Sequence, residues 1–240
     1  MVLDRHGKLQ MDDRESVAAI HRHLRGLIVT NELPADAELN QLRISRSLGV
    51  SRGPIREALR MLQQEGLVTA EQNNRARVAK IRPADVEAAY VQRMLLETLG
   101  VRLTVPDLQV ADLKRATALL AEAERKPDVT DLKEHAVAHR GFHMVLISHL
   151  PERLLAQVTL LFDATDRFRV AYATNSPRSW ENARRDHHGL LDAARRNDAD
   201  AASRLLAEHY MRTASTLLTH LAPDYDRRAL NEAFAQTQHR

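Results

Sequence analysis

The chain has 240 residues, of which 44% are hydrophobic and only 4% aromatic, and it contains no cysteine. This composition favours helices over a sheet-rich fold and excludes disulfides and thiolate metal sites. No stretch approaches the roughly 20 apolar residues of a membrane span, and no apolar run begins the chain, so we predict a cytoplasmic protein with no membrane partner. The formal net charge of +3 lies in the first third, where residues 1–80 hold 13 basic and 10 acidic side chains, whereas residues 81–240 hold 22 of each.

Two helices are predicted before residue 50. Apolar residues recur at helical spacing over residues 13–30, and the segment NELPADAEL ends this helix with a proline turn. A shorter helix is predicted over residues 40–48. Gly49 follows it at the position where helices favour a residue with left-handed backbone.

A third helix and a hairpin come next. Ser51 is suited to cap the N-terminus of this helix, Pro54 fits its first turn, and Gly66 ends it. The segments LVTA and ARVAKI then predict two short strands around EQNNR. Three helices followed by a hairpin are the elements of a winged helix-turn-helix domain, with the β-hairpin as its wing.

The third helix carries apolar residues on one face and arginines on another. Arg52, Arg56 and Arg60 recur at i, i+4 and i+8, and residues 43–60 hold five arginines against one acidic residue. Such a local basic patch suits contacts with phosphates. A solvated helix face produces the same charge pattern, so the charges alone leave both interpretations open.

From Pro83 onwards the sequence shows only helical periodicity, interrupted by short polar loops that are typical of antiparallel helices. We therefore predict a mainly α protein. It has an N-terminal winged helix-turn-helix over residues 1–81, an all-helical antiparallel bundle over residues 82–225, and a weakly attached helix or tail over residues 226–240. The predicted helices of the bundle cover residues 84–104, 107–125, 130–149, 152–173, 178–196 and 198–221.

Two parts of the chain resemble a known family of DNA-binding proteins. The stretch LGVSRGPIREALRMLQQEGLV resembles the DNA-binding signature of GntR-type transcription regulators, with similarity from about Val17 to Ile81. The helical part resembles the FCD effector domain of the FadR-like branch through the motifs RMLLE, HRGFH, DHHGLLDA and AEHYMRT. The resemblance implies a transcription regulator, in the first place a repressor, that binds a pseudo-palindromic operator as a homodimer. It also implies control by a small carboxylate or a related anionic metabolite.

The resemblance further implies that the third helix enters the major groove of double-stranded DNA. Arg52 and Arg56 would contact base edges, Ser51 and the helix N-terminus a phosphate, and the hairpin the minor groove or the backbone. Two positions depart from the family pattern, since Leu42 occupies a slot that is usually arginine and Arg75 one that is usually glycine. The candidate DNA-binding residues are Arg43, Ser51, Arg52, Pro54, Arg56, Arg60, Asn74, Arg75 and Arg77.

Eight of the 12 histidines fall between residues 135 and 220. Two histidines at i and i+4 can chelate one ion from a helix face, and His135, His139 and His143 have this spacing. The resemblance implies a metal site in which His139 takes the place of the usual aspartate. An all-imidazole set suits Zn²⁺ or Ni²⁺, and also Co²⁺, better than Mg²⁺ or Ca²⁺. The candidate metal ligands are His139, His143, His187 and His209.

Neutral imidazole ligands do not reduce the two positive charges of the metal ion. The net charge of the site therefore favours an anionic effector at a free coordination position of the ion. Histidines that bind the effector directly, without a metal, are the alternative. For Arg93, an ion pair with Glu97 four residues further along the helix competes with a role in the pocket. Asp186 and Glu208 are candidates for supporting the ligands. By resemblance, the candidate effector-binding arginines are Arg93, Arg167 and Arg169.

Two other functions agree with parts of the sequence. A histidine-rich helical bundle could hold a metal enzyme, but the sequence has no HExxH motif, no serine or cysteine nucleophile signature and no glycine-rich phosphate loop. A constitutive DNA-binding protein with a vestigial bundle would not be released from DNA by a ligand. We therefore expect a regulator and not an enzyme.

Overall fold

The computed structural model describes residues 2–3, 9–10, 13–71, 75–125, 132–172 and 177–238. The chain divides into two compact units, Met1–Lys80 and Ile81–Arg240. The predicted fold class is confirmed, because among these residues helices dominate both units and short antiparallel strands occur in the first unit alone. None of the helices in the described ranges is long and apolar enough to cross a membrane.

The helices of the first unit are α1 (Asp13–Val29), α2 (Gln41–Leu48) and α3 (Arg52–Gln64). Apolar residues three or four positions apart give α1 and α3 one apolar face each, and the two helices pack together through these faces. Ile28, Ile55 and Leu62 are consequently shielded from solvent completely. Burial of each such side chain stabilises the domain by about 1.5–3 kcal/mol.

Five short strands accompany these helices. β1 (Val2–Leu3) and β2 (Leu9–Gln10) pair with each other before α1. β4 (Val68–Glu71) and β5 (Arg75–Val78) form the predicted hairpin, and β3 (Glu38–Leu39) pairs with the other edge of β5. The wing is therefore a three-stranded antiparallel sheet. A two-residue strand is too short to show the alternation of apolar and polar residues, so the sequence did not predict β3.

The ends of α2 and α3 follow the local sequence signals, with one exception. The Asn40 side chain caps α2 by accepting hydrogen bonds from the backbone N–H groups of Leu42 and Arg43, each at 3.0 Å. Gly49 ends α2 with a left-handed backbone, at a φ of 67°. Ser51 lies at the N-cap position of α3, but its side chain makes no capping hydrogen bond.

In the part of the chain that the structure describes, the second unit contains seven α-helices and a short 3₁₀ helix at Val105–Asp107. α4 packs against α7, α9 and α10, and buries Met94 and Val101 completely. Gly100 allows a close approach on the same helix, since a Cβ atom there would lie 2.7 Å from the Cβ atom of Ile147. The α-helices are α4 (Pro83–Thr104), α5 (Val110–Ala123), α6 (Leu132–Leu146), α7 (Glu152–Tyr172), α8 (Pro177–Arg195), α9 (Ala199–Leu221) and α10 (Arg228–Gln238).

The C-terminal segment is attached more firmly than the weakly attached helix or tail that was predicted over residues 226–240. Its described part forms α10, which packs against α4 and α9 and buries Leu230 and Ala233. Glu87 of α4 accepts hydrogen bonds from the backbone N–H of Leu230 and from the hydroxyl of Tyr225, both at 2.9 Å. The carboxylate of Glu87, 143 residues before Leu230 in the sequence, thus holds α10 in place by hydrogen bonds. No local sequence pattern could indicate that contact.

Candidate functional site

One face of α3 presents arginines to solvent. Arg52, Arg56 and Arg60 are exposed, whereas the apolar side chains of the other face are buried. Arg60 pairs with Glu57 at an N–O distance of 2.6 Å, and the hydrogen bond lowers the pKa of that carboxyl. Within the described ranges, Arg52 and Arg56 have no ion-pair or side-chain hydrogen-bond partner. The two guanidinium groups at the start of α3 therefore form no ion pair or side-chain hydrogen bond within the described part of the fold.

The other predicted DNA-binding residues lie in different surroundings. Arg43 is exposed on α2, whereas Pro54 is buried on the inner side of α3. Arg77 of β5 donates a hydrogen bond to a backbone carbonyl oxygen in the turn before β3, at 2.8 Å. Asn74 lies outside the described residues, and for Arg75 only the backbone, within β5, is described.

Three helices of the second unit bring four buried histidines together. His139 and His143 lie one turn apart on α6, His187 lies on α8 and His209 on α9. One ring nitrogen of each residue lies within 4.8 Å of the corresponding nitrogens of the others. The exposed fractions of the four residues range from 1% to 6%. The structure thus places all four predicted ligands in one cluster.

His143 is oriented by two neighbouring side chains. Its Nδ1 atom lies 3.3 Å from Oε2 of Glu97 and 3.1 Å from the hydroxyl oxygen of Tyr210. Because an ionised carboxylate can only accept, Nδ1 carries the proton, and Nε2, which lies 3.3 Å from Nε2 of His187, keeps its lone pair. Burial lowers the pKa of His143 to about 4, although Glu97 acts in the opposite direction. The imidazole is therefore neutral near pH 7, as a metal ligand must be.

His209 has a comparable carboxylate partner. Its Nδ1 atom lies 3.3 Å from Oδ2 of Asp186, which also accepts a hydrogen bond from Arg212. Burial lowers the pKa of His209, and Asp186 opposes this effect. A carboxylate behind a ligating imidazole fixes its tautomer and makes the other nitrogen a better donor of electrons. Asp186 is thus positioned to support His209, whereas Glu208, the other candidate for this role, is exposed.

His139 is hydrogen-bonded to a cation instead. Its Nδ1 atom lies 3.1 Å from Nη1 of Arg169. Nη1 of Arg169 also donates a hydrogen bond to Oδ1 of Asp166 at 3.0 Å. A guanidinium group has donors and no acceptor, so Nδ1 of His139 must accept this hydrogen bond. The guanidinium at Nδ1 of His139 is therefore opposite in charge to the carboxylates near Nδ1 of His143 and His209.

Arg93 lies in the core and does not line the pocket. Its Nε atom donates to Glu97 at 2.7 Å, and its two terminal nitrogens donate to Thr165 and Tyr210, each at 2.8 Å. The guanidinium carbon also lies 3.6 Å from the ring centre of Phe162. Burial would raise the pKa of Glu97, but Arg93 and His143 together hold it at about 2. The structure thus shows the ion pair that was the competing interpretation for Arg93.

An open pocket borders the histidines, with about 640 Å³ of empty space that includes its opening to solvent. Arg169 and Arg212 supply positive charge, Trp180 an aromatic wall, and Thr213 and Thr216 hydroxyl groups, while the carboxylate of Asp186 lies beside Arg212. A smaller pocket, with about 310 Å³ of empty space that also includes its opening to solvent, shares part of this wall and is lined on its other side by apolar residues of α5. The arrangement suits a small molecule with an anionic end and an apolar part.

The pocket differs in four residues from what the sequence suggested. Of the three arginines predicted to bind an effector, Arg169 lines the pocket, whereas Arg167 is buried and, like Arg93, does not. Sequence reasoning missed Arg212 and Trp180. Arg212 follows His209 by three residues, so helical spacing could have placed both on one face. Trp180 is the only tryptophan in the sequence, and no pattern around it indicates a pocket.

Comparisons with known families agree with the division into two units. The family described as bacterial regulatory proteins, gntR family, matches residues 17–78. The FCD domain family matches residues 86–212. The two matches follow each other along the chain and together cover most of it.

Known relatives carry regulatory names. The chain is 27% identical to the HTH-type transcriptional repressor GlaR of Escherichia coli (strain K12) over 200 residues, which cover 80% of this chain and 90% of that protein. It is 26% identical to the HTH-type transcriptional regulator YdhC of Bacillus subtilis (strain 168) over 192 residues, or 79% and 85% of the two chains. A transcriptional regulator structure, GntR from Rhodococcus sp. RHA1, has a TM-score of 0.75 at 23% identity, covering 88% of this chain and 100% of that one. These are names of regulators and not of enzymes, as the sequence predicted.

Proposed function

The chain belongs to the gntR family of bacterial regulatory proteins with an FCD domain, and we propose that it is a homodimeric repressor released from DNA by an anionic metabolite. The class of function, a DNA-binding transcription regulator, follows from the family itself. The observation that carries the proposal is a cluster of four buried histidines beside a pocket that contains two arginines. The repressor name of the relative GlaR supports the direction of regulation.

For DNA binding, we assign the base contacts to Arg52 and Arg56. Both are exposed on the first turns of α3, and neither has a partner among the described residues that would compete with a base. Because the hydroxyl of Ser51 accepts no capping bond, the first N–H groups of α3 stay available to a phosphate, where the helix dipole favours negative charge. The O–H of Ser51 can donate to the same phosphate. Arg43 on α2 and Arg60, which is already paired with Glu57, suit phosphate contacts.

Replacing Arg52 or Arg56 with alanine should each weaken binding to the preferred DNA site about 10- to 100-fold, because base-edge hydrogen bonds are lost. The site is obtained by selection from a random DNA pool, and affinities are measured by fluorescence anisotropy at fixed salt. Arg204→Ala removes an exposed arginine from α9, in the other unit, and should bind as the wild type does. Equal losses in all three variants would reflect net charge alone and contradict the assignment.

For the dimer, α4 offers a surface to a second copy of the chain. Leu95, Leu99 and Leu103 recur every four residues along this helix and are 40–44% exposed, which gives an apolar stripe. A row of exposed apolar side chains marks a protein–protein contact. Two copies related by a two-fold axis would present two α3 helices, as a pseudo-palindromic operator requires. A second copy is therefore the partner that suits this stripe.

The double substitution Leu95→Glu/Leu99→Glu should convert the dimer into a monomer, because it places like charges opposite each other across the two-fold axis. Size-exclusion chromatography with light scattering measures the mass. Leu160→Glu is the matched control, since Leu160 is 53% exposed on α7 and lies outside the stripe, and this variant should remain a dimer. A double variant that stays dimeric, or a wild type that is monomeric, would exclude this surface.

The four histidines suit a divalent ion. In a tetrahedral site with zinc–nitrogen bonds of about 2.0–2.1 Å, neighbouring nitrogens lie about 3.3 Å apart, and the Nε2 atoms of His143 and His187 are separated by 3.3 Å. The low pKa of His143 and of His209 leaves both rings neutral and able to coordinate. Imidazole donors alone favour Zn²⁺ or Ni²⁺ among common ions. When bound, such an ion supplies a positive, Lewis-acidic centre for an anionic group.

The effector class follows from the charges and donors around the pocket. Arg169 and Arg212 are the cations in its wall. Each also pairs with a carboxylate, of Asp166 and Asp186 respectively, and keeps further N–H donors for a ligand. A carboxylate accepts two hydrogen bonds from one guanidinium, a geometry that an uncharged group does not reproduce as strongly. The hydroxyls of Thr213 and Thr216 can bind further oxygen atoms of the same molecule. We therefore propose a small carboxylate as the effector.

Small carboxylates should change the fluorescence of Trp180 and lower operator affinity over the same concentration range. Trp180 is the only tryptophan in the sequence and lines the pocket, so its emission reports occupation of the pocket. Mono-, di- and hydroxycarboxylates are titrated, with the uncharged amides of the same acids as controls. Carboxylates that change the fluorescence without changing operator affinity would show a constitutive DNA-binding protein and contradict release by an effector.

A further inference from the structure

The hydrogen bond between Arg169 and His139 opposes metal binding by His139. The donor is Nη1 of Arg169, and the acceptor is Nδ1 of His139 at 3.1 Å. If Nδ1 is the ligand atom, the guanidinium already occupies its lone pair. If Nε2 is the ligand atom, a neutral ring that accepts at Nδ1 carries its proton on Nε2, and no lone pair remains there. In both cases His139 does not coordinate an ion while this hydrogen bond persists.

The histidines of the cluster are therefore not equivalent. His143 and His209 each place Nδ1 3.3 Å from a carboxylate oxygen, of Glu97 and Asp186 respectively. Those partners keep the proton on Nδ1 and leave Nε2 ready to coordinate. His139 has the reverse arrangement, with a cation in the place where the other two have an anion.

Arg169 is both held in this position and accessible from the pocket. Asp166, which is 2% exposed, accepts a hydrogen bond from Arg169 at 3.0 Å and so fixes the guanidinium beside His139. Arg169 also contributes to the wall of both cavities. An anion in the pocket can therefore compete with His139 for the same guanidinium, as a charged acceptor against a neutral one.

We propose that Arg169 withholds His139 from the metal, and that an anion which engages the guanidinium adds His139 as a fourth imidazole ligand. This inference rests on the metal site of the proposed function. Released from Arg169, His139 can coordinate through the lone pair of Nδ1, or through Nε2 once its proton has moved to Nδ1. By thermodynamic linkage, the anion and the metal then strengthen each other's binding by the same factor. Arg169 thus couples the charge of the effector to the number of protein ligands on the ion.

The test is a double-mutant cycle on zinc affinity, measured against a competing chelator in the full-length protein. Arg169→Met should bind Zn²⁺ about ten-fold or more tightly than the wild type, because a hydrogen bond from a charged donor no longer opposes coordination. The same substitution in a His139→Ala background should have little effect. Loss of a positive charge alone would act in both backgrounds. Arg184→Met, which removes an exposed guanidinium that pairs with Glu124 and lies three residues before His187 on α8, is the control for charge.

Co²⁺ provides a second readout, because its visible absorption changes with the number and kind of its ligands. The spectrum of Arg169→Met should differ from that of the wild type, and His139→Ala should remove the difference. Since Asp166 loses a partner in Arg169→Met, the variant Asp166→Asn/Arg169→Met is measured as well, with thermal unfolding to verify the fold.

Two results would overturn the inference in different ways. A wild type that binds Zn²⁺, with an Arg169→Met variant of equal or lower affinity, would refute the role of Arg169 and leave the metal site intact. Absence of Zn²⁺ binding in both the wild type and Arg169→Met would remove the inference together with the proposed metal site.

Discussion

Replacing His143 with alanine will abolish metal binding by the purified protein. His143 is 1% exposed, and its Nε2 atom faces that of His187 at 3.3 Å while Glu97 and Tyr210 fix the opposite nitrogen. Loss of a partner behind a ligand lowers metal affinity roughly 10- to 100-fold, and loss of the ligand itself should lower it further. The measurement is metal content by elemental mass spectrometry after dialysis, followed by Zn²⁺ titration of the metal-free protein.

His188→Ala is the matched control for this experiment. His188 follows the proposed ligand His187 directly, but its side chain pairs with Glu124 at 2.7 Å and is not part of the cluster. The control should bind metal as the wild type does. A wild type that remains metal-free when prepared with ample Zn²⁺ and Ni²⁺ would contradict the metal site, and would leave the histidines as direct contacts for the effector or as packing residues.

Replacing Glu97 with alanine will lower the free energy of unfolding by about 3–5 kcal/mol, as expected when a buried ion pair loses one partner. Arg93 and Glu97 are 1% and 0% exposed, so the variant leaves a guanidinium in the core with no carboxylate. Tyr210 and Thr165 would still accept hydrogen bonds from Arg93, but neither neutralises its charge. Urea unfolding followed by circular dichroism measures the change.

Glu57→Ala is the control, since Glu57 also pairs with an arginine of its own helix but lies on the surface. Exposed pairs contribute little, and this variant should unfold as the wild type does. Equal stabilities of Glu97→Ala and the wild type would show that the buried pair is dispensable. The pH dependence of the free energy of unfolding gives an independent test. The pKa of Glu97 is held at about 2, below its ordinary value of 4.5. The stabilisation that Glu97 contributes is therefore complete above pH 4.5 and is lost as the pH falls towards 2.

The sequence predicted the elements that depend on local pattern. Helical spacing of apolar residues located α1 and the helices of the bundle to within a few residues, and Gly49 marked the end of α2. The cluster of His139, His143, His187 and His209 was also predicted, because family resemblance supplied the pairing of distant helices that spacing alone does not give.

The features that the sequence did not predict depend on contacts between distant residues. Spacing allowed Arg93 to pair with Glu97 or to face a pocket, and only the packing of Tyr210 and Phe162 around it selects the first. The attachment of α10 depends on Glu87, far away in the chain. Trp180 acquires its place in the pocket from neighbouring helices, which no pattern around residue 180 encodes.

The two sides of α4 bear on how proteins of this kind can diverge after gene duplication. Arg93 and Glu97, which orient His143, are buried, whereas Leu95 and Leu99 are exposed, and positions two apart on a helix point about 200° away from each other. Substitutions at the leucines can therefore accumulate without disturbing the residues that orient His143. With the proposed dimer formed through these leucines, duplicated copies in one cell would acquire leucine faces that no longer match and would not form mixed dimers, while both retained the same histidine cluster.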